Sequence, residues 1–163
     1  MVNYMENIPL KLNLGAGQFV NPIINNVQQE GFIGVDIYPF EGKDRTCCNL
    51  EKFPWPFESN SVDEVFASHL IEHIENLPPF FNELHRIMKV GAKALIITPY
   101  GNSARAWQDP FHKRPIFPES FLYYNQKWLK DNGLNHYPIT ADFNFSYGYV
   151  FNAQSPFNPT LRN

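Results

Sequence analysis

The sequence of 163 residues has little cysteine, and its two cysteines, Cys47 and Cys48, are neighbours. Adjacent cysteines rarely form an unstrained disulfide, and two thiolates fall short of the thiolate set of a structural zinc site. We therefore expect reduced thiols and a cytoplasmic protein. Residues 1–10 lack the basic start and the apolar run of a signal peptide, and no apolar run reaches the roughly 18 residues of a membrane span.

An excess of charge of one sign is also missing. The chain has 13 basic and 16 acidic residues, a net charge of −3, so no overall basic field favours nucleic acid or a membrane surface. We expect no membrane partner, we disfavour nucleic acid, and we leave an oligomer open. The length predicts a single domain over residues 1–163, with a core at 10–100 and a substrate-side or lid region at about 100–163.

A glycine turn and a carboxylate stand out as a candidate ligand site. A short apolar strand runs into Gly15-Ala16-Gly17, and a second one ends at Asp36, 19 positions after Gly17. Glycine allows a ligand to lie against bare backbone, and an acid about 20 residues further on can bind ribose hydroxyls. Val20 stands where a dinucleotide site needs a third small residue. This favours a nucleoside cofactor without phosphates, such as S-adenosylmethionine, over a nicotinamide cofactor.

Hydrophobic periodicity predicts an alternation of strands and helices. The predicted strands cover residues 10–14, 32–37, 44–48, 62–67 and 94–97, the last of them fully buried. The predicted helices cover residues 20–27, a turn at 70–74, a helix from Pro78 that ends at Gly91, and residues 118–132. Residues 143–151 alternate aromatic and other side chains, which predicts a half-buried antiparallel strand. The expected fold class is α/β, a doubly wound, mostly parallel Rossmann-like sheet with helices on both faces.

Five segments together resemble the class I S-adenosylmethionine-dependent methyltransferases, and within them the small ubiquinone/menaquinone-type group. The similarity covers roughly residues 10–125. The matching segments are Leu12 to Gly17, Val35-Asp36, the run from Cys48-Asn49-Leu50 to Val65, Ser68 to His73, and Leu84 to Ala92. In this family Asn49 stands where an aspartate usually accepts a hydrogen bond from adenine. The family core ends in a strand hairpin. Little of the sequence follows residue 151, so we expect this hairpin to be shortened here.

The resemblance implies a methyltransferase fold with S-adenosylmethionine as the cofactor. The residues expected to bind the cofactor are Asn13, Leu14, Gly15, Ala16, Gly17, Asp36, Ile37, Asn49, Leu50, Ser68 and His69. Methyl transfer needs orientation of an already activated methyl group, and a general base only when the acceptor must lose a proton.

The loop after the fifth strand holds the candidate acceptor-side residues. His112 and Asp109, together with His69, are the candidate catalytic residues, and Lys113 and Arg114 could hold an anionic acceptor. Tyr100 would line the same cleft. The alternative is a solvated loop held by salt bridges. His69 and His73 share a helical face, but with no third ligand apparent we expect no metal.

The sequence leaves three functions open. The first is an enzyme that methylates a small molecule or a glycan precursor. The second is a nucleic-acid methyltransferase, suggested by five basic and two acidic residues between Arg105 and Lys130. The third is a non-catalytic protein that binds S-adenosylmethionine.

Overall fold

The structure, a computed structural model, describes residues 8–150. Its centre is a five-stranded sheet built from β1 (Lys11–Leu14), β4 (Phe32–Asp36), β5 (Arg45–Cys47), β6 (Val62–Ser68) and β7 (Met88–Ile97). The strand order is β5-β4-β1-β6-β7, and each neighbouring pair is parallel. The chain starts at the centre, moves outward through β4 and β5, and then returns to the other side of β1. This reversal confirms the doubly wound α/β fold and places a switch point between β1 and β6.

The core lies on one face of this sheet, under the helix α1 (Leu77–Ile87). Leu14 pairs in register with Val35 on one side and Ala67 on the other, and all three are buried. Apolar residues of α1 recur at helical spacing and join the same cluster; they are Leu77, Phe80, Phe81, Leu84 and Ile87. Their spacing gives the helix one apolar stripe, which the sheet covers.

The predicted helix over residues 20–27 is wrong. The structure has an antiparallel hairpin there, β2 (Ile23–Ile24) paired with β3 (Val27–Gln28). Asn25 and Asn26 connect the strands with φ angles of 52° and 61°. Asparagine tolerates this left-handed region, and two such residues form the tight turn that suits a hairpin.

The end of α1 also differs from the prediction. The helix ends at Ile87, and β7 begins at once with Met88, which is buried opposite Val62. Gly91 therefore lies within β7 rather than capping the helix, and its φ of +83° falls where the register with β6 shifts. Burial of Met88 in the sheet therefore favours a strand at this position in place of one more turn of helix.

β7 is more exposed than predicted. Leu95 is 44% and Ile97 is 37% exposed. Within residues 8–150 no strand pairs with β7 on the side away from β6. The expectation of a fully buried strand over 94–97 was therefore wrong, because an edge strand lacks cover on one side.

The C-terminal part of the described chain contains short helical segments. These are α2 (Ala104–Trp107), a 3₁₀ helix at Pro118–Tyr124 and α3 (Gln126–Asp131). The single helix predicted over 118–132 is interrupted at Asn125, whose backbone is extended and whose side chain accepts from the amide of Trp128. An N-cap side chain of this kind starts a new helix.

The strand predicted over 143–151 is absent from residues 143–150, and Phe151 lies outside the described residues. The alternating aromatics do pack: the Phe143 ring contacts His85, and the Phe145 ring contacts Phe121. The segment is therefore held by side chains and single hydrogen bonds, with no neighbouring strand to form a ladder. Among the described helices none is long and apolar enough to cross a membrane.

Candidate functional site

The glycine turn follows β1 at the carboxyl edge of the sheet. Gly15 and Gly17 adopt φ angles of +67° and +52°, which favour glycine. The Gly15 amide donates to the Val35 carbonyl at 2.8 Å, so the turn is held against β4. A Cβ on Gly17 would meet no atom within 4 Å. The space above this residue is therefore open to a ligand.

The carboxylate of Asp36 meets this turn directly. Its Oδ2 accepts from the Gly17 amide at 2.8 Å, and its Oδ1 accepts from the Tyr38 amide at 3.1 Å. A carboxylate offers about four lone-pair sites, so these two bonds leave about two more acceptor sites. The two sequence motifs thus converge, and the acid keeps the capacity to accept two further hydrogen bonds.

Arg45 on β5 fixes the other side of the glycine turn, and sequence reasoning missed it. Its guanidinium donates to the Gly17 carbonyl at 2.7 Å and to the Gln18 carbonyl. It also lies 5.2 Å from the centre of the Phe40 ring. The sequence signal for this role was the position of Arg45 on a predicted edge strand next to β4. Arg45 pairs in register with Gly34, which has no side chain to block a long cation that extends across β4.

A small cavity of about 170 Å³ lies between the ends of β4 and β5. Asp36, Arg45, Cys47, Tyr38 and Phe40 contribute to its wall. Sites for drug-sized ligands typically have volumes of about 300 Å³ or more, so this cavity can hold only part of such a molecule.

Other residues expected near the cofactor support the turn from below. Asn13 is buried, and its amide donates to the carbonyls of Phe19 and Val20 at 2.9 and 3.1 Å. The side chains of Leu14 and Ala16 are buried, so they can offer a ligand little beyond backbone. Ile37, in contrast, is 55% exposed just beyond Asp36.

Asn49 and Leu50 lie near Asp36 because the Cys48 amide donates to the Asp36 carbonyl at 2.8 Å. The Asn49 Oδ1 already accepts from the Glu51 amide at 2.9 Å. An amide oxygen has two lone pairs, so one remains. Leu50 is buried in the core.

Ser68 ends β6 on the other side of the switch point, and His69 follows it. The His69 amide donates to the Ile97 carbonyl at 2.8 Å, and its φ of +53° turns the chain out of the sheet. A Cβ on Gly15 would come within 2.9 Å of the Leu70 side chain. This segment therefore packs directly against the glycine turn.

Glu72 is a buried carboxylate that sequence reasoning did not single out. It is 1% exposed, and its Oε2 accepts from the Thr98 hydroxyl at 3.1 Å. Its Oε1 lies 3.2 Å from the His69 Nδ1, but the alignment is not that of a hydrogen bond. Burial raises the pKa of Glu72, and the nearby His69 and the Thr98 hydroxyl more than offset this, so that its pKa lies below the usual value.

The acceptor-side loop is fastened to the segment after β6. The Lys113 amide donates to the Glu72 carbonyl at 2.7 Å, and the Lys113 Nζ lies 3.0 Å from a Glu75 carboxylate oxygen. Arg114 donates to the Glu75 carbonyl. Both cations thus have partners within the chain. This agrees with the alternative to an acceptor-binding role, in which the loop is solvated and held by salt bridges.

His112, Asp109 and Tyr100 lie in the same region. The His112 Nδ1 is 3.0 Å from the Ala106 carbonyl, and its Nε2 is 3.9 Å from an Asp109 carboxylate oxygen. Tyr100 is partly exposed, and its ring packs against Phe117 at 5.8 Å between centres.

The basic stretch between residues 105 and 130 offers less free charge than its composition indicates. Lys113 is paired with Glu75, and Lys127 is paired with Asp131 on α3. Paired cations contribute less to nucleic-acid binding because their charge is partly neutralised.

Comparisons with known proteins give two matches. A family model described as a methyltransferase domain matches residues 10–96. Phosphoethanolamine N-methyltransferase 2 from Caenorhabditis elegans is 32% identical over 77 residues, which cover 47% of this chain and 17% of that relative. The chain therefore aligns with less than a fifth of the length of that relative.

Proposed function

We propose that this chain, which belongs to the methyltransferase-domain family, transfers a methyl group from S-adenosylmethionine to a small-molecule or glycan-type acceptor. S-adenosylmethionine is the cofactor expected of the family. The ubiquinone/menaquinone-type subgroup stays a prediction.

The contact between Asp36 and Gly17 carries the proposal. In the proposed complex the ribose lies over the open space at Gly17, and its two hydroxyls use the two acceptor sites left on the Asp36 carboxylate. Arg45 holds the turn in place by its bonds to the Gly17 and Gln18 carbonyls. The nucleoside thus occupies the carboxyl ends of β1 and β4, where open α/β sheets bind ligands.

The connection from β1 to β4 supports a cofactor without phosphates. Residues 15–31 contain the β2–β3 hairpin and no helix. A pyrophosphate site uses amides at a helix N-terminus, and this connection offers none. The structure therefore adds a second reason, besides Val20, to disfavour a nicotinamide cofactor.

Bound S-adenosylmethionine supplies a methyl group on a positively charged sulfur, which is already activated for transfer. The chain's residues then have to orient the two reactants and exclude water. We assign His69 as the base for an acceptor that must lose a proton, because its side chain is 53% exposed beside the glycine turn. His112 and Asp109 are further candidates in the adjoining loop.

Two observations support a small acceptor. The relative from C. elegans is named for phosphoethanolamine, a small amine. The rim of the acceptor-side region carries exposed aromatic side chains, among them Tyr100, Trp107 and Phe111. Aromatic faces of this kind contact sugars and small organic cations through apolar and cation–π interactions.

The test is direct binding of S-adenosylmethionine and of its demethylated product by calorimetry. Asp36→Asn keeps one side-chain oxygen that can accept from a backbone amide of the turn, but it removes the negative charge to which the ribose hydroxyls would donate. Loss of charge-assisted hydrogen bonds worth about 1.5–3 kcal/mol predicts affinity lowered about 10- to 100-fold. Asp131→Asn, an exposed aspartate on α3, is the matched control and should bind like the wild type.

Unchanged affinity in Asp36→Asn would refute the ribose assignment. No binding of either compound by the folded wild-type chain would refute the proposal as a whole. Acceptors are then screened by following the demethylated product with small amines, alcohols and sugars. Binding without turnover on this panel would favour the non-catalytic alternative.

A further inference from the structure

Three potential metal ligands meet at the end of β6 and the loop after β7. One ligand atom each from Glu72, His73 and His112 lies within 4.8 Å of the others. Glu72 is buried, and the two histidines are half-buried. The two imidazole rings lie 4.7 Å apart between centres and nearly perpendicular, at 76°.

The Glu72 carboxylate has an unsatisfied oxygen in this cluster. Its Oε2 accepts from Thr98. Its Oε1 is inaccessible to solvent and lies 3.2 Å from the His69 Nδ1, but without hydrogen-bond alignment, so it has no hydrogen-bond partner among the described residues. A buried acceptor without a partner destabilises the fold, and more so when it is charged. Native proteins rarely leave such a group without a partner, and a cation bound beside this oxygen would supply one.

The orientation of His112 leaves one ring nitrogen for a ligand bond. Its Nδ1 lies 3.0 Å from the Ala106 carbonyl, which can only accept, so Nδ1 carries the proton. Nε2 then keeps its lone pair. Histidines that bind metals commonly donate their other ring N–H to a backbone carbonyl in this way, which fixes both the tautomer and the ring.

The backbone holds the cluster together. The Lys113 amide donates to the Glu72 carbonyl at 2.7 Å, and the Lys113 Nζ pairs with Glu75. These bonds join His112 to the segment of Glu72 and His73, although 39 positions separate His112 from His73. Sequence spacing alone could not reveal this third ligand.

We propose that Glu72, His73 and His112 form a binding site for a first-row divalent transition-metal ion such as Zn²⁺. Two imidazoles and one carboxylate suit Zn²⁺ or Fe²⁺, whereas Mg²⁺ and Ca²⁺ prefer sets of oxygen ligands. Three protein ligands leave a coordination position open.

Binding requires a modest contraction of the cluster. For bonds of about 2.0–2.1 Å at tetrahedral angles, ligand atoms lie roughly 3.4 Å apart. Since the three ligand atoms lie within 4.8 Å of one another, no pair has to close by more than about 1.4 Å. Side-chain rotation of the half-buried His73 can supply this movement. The metal site does not use His69, the base assigned above. It does use His112, which as a metal ligand would no longer be available as a candidate base.

The experiment titrates the chelator-treated full chain with Zn²⁺ alone, in competition with a coloured chelator and without any methyl donor. We expect one ion per chain. Mutation of a residue that only hydrogen-bonds to a metal ligand typically lowers metal affinity about 10- to 100-fold. Loss of the ligand itself in His112→Ala should therefore weaken Zn²⁺ binding at least about 100-fold. His136→Ala, which removes an exposed histidine outside the cluster, should not change it. Mg²⁺ should not compete.

A second probe locates the ion. Co²⁺ bound to the wild type should give visible absorption bands typical of a low coordination number, and these should disappear in His73→Ala and in His112→Ala. Circular dichroism confirms that each metal-free variant is folded, and the test therefore does not depend on a substitution of the buried Glu72. Absence of tight Zn²⁺ binding, or equal affinity in the wild type and His112→Ala, overturns the proposal.

Discussion

The pair Glu83 and Arg86 on α1 allows a sharp prediction about stability. The Glu83 carboxylate is buried; it accepts from the Trp55 amide at 2.6 Å and from two Arg86 nitrogens at 2.6 and 2.9 Å. Arg86 continues to the Phe57 carbonyl at 2.9 Å and the Ser59 hydroxyl at 3.0 Å. Trp55 and Phe57 lie in the loop between β5 and β6, so the pair fastens this loop to the helix that covers the sheet.

Glu83→Ala would leave the Trp55 amide and the Arg86 guanidinium without their acceptor. Breaking a buried pair costs about 3–5 kcal/mol, but Arg86 is 31% exposed, so water recovers part of the loss. We expect the free energy of unfolding to fall by about 2–4 kcal/mol. For a chain of this length the melting temperature should fall by roughly 5–15 °C.

The same pair predicts a dependence on pH. Burial raises the pKa of Glu83, and the hydrogen bonds from Arg86 and Trp55 more than offset this and lower its pKa below the usual value. A carboxyl with a lowered pKa stabilises the fold above its unfolded pKa, and this contribution is lost as pH falls through the folded value. The stabilisation should therefore be complete at pH 7 and decline below about pH 4.5.

Urea unfolding of the wild type and Glu83→Gln between pH 7 and pH 3 measures this contribution. The glutamine keeps an acceptor but does not titrate, so the stability difference between the two proteins should shrink as the pH falls. The exposed Glu41→Gln serves as a control with little expected change. A difference that stays constant over this range, or a loss below 1 kcal/mol in Glu83→Ala, would contradict the reasoning.

Two further predictions concern the glycine turn and the hairpin. Arg45→Ala removes the donors to the Gly17 and Gln18 carbonyls and should weaken S-adenosylmethionine binding about 5- to 30-fold in calorimetry. Arg45→Lys lacks the forked set of donors and should restore little of this affinity. Full affinity in the lysine variant would argue against this role. Asn26→Gly should raise the melting temperature slightly and Asn26→Val should lower it, because Asn26 has a φ of 61°; the opposite order would contradict a turn that needs a left-handed residue.

The strands of the sheet were predictable because burial dictates their composition. β1, β4 and β6 lie within a residue or two of the predicted ranges, since short apolar runs between turn residues are typical of parallel strands. β5 also lies within its predicted range, but its residues are polar and partly exposed, so burial does not explain it. The segment with Val20, Ile23, Ile24 and Val27 fits a helical period, yet it spans only about two turns. Over so short a segment the turn chemistry of two adjacent asparagines decides the structure.

Burial by distant segments was harder to predict. An apolar run such as Ala94–Ile97 predicts a strand, but its neighbours depend on the whole topology, and here β7 pairs only with β6 among the described residues. Likewise the candidate site was predictable where local chemistry requires a residue type, as at Gly17 and Asp36. Arg45 and Glu72 were missed because their roles arise from contacts between strands and loops far apart in the sequence.

The switch point between β1 and β6 explains how one edge of the sheet could serve two purposes. On one side β1, β4 and β5 present backbone amides, a carboxylate and a small cavity, which together suit a nucleoside. On the other side β6 and β7 lead into the histidines and Glu72. Because connections on the two sides of a switch point leave the sheet in opposite directions, a crevice opens between them. Leu70, packed against Gly15, joins the two halves, so a ligand at the glycine turn would lie beside the segment that carries His69.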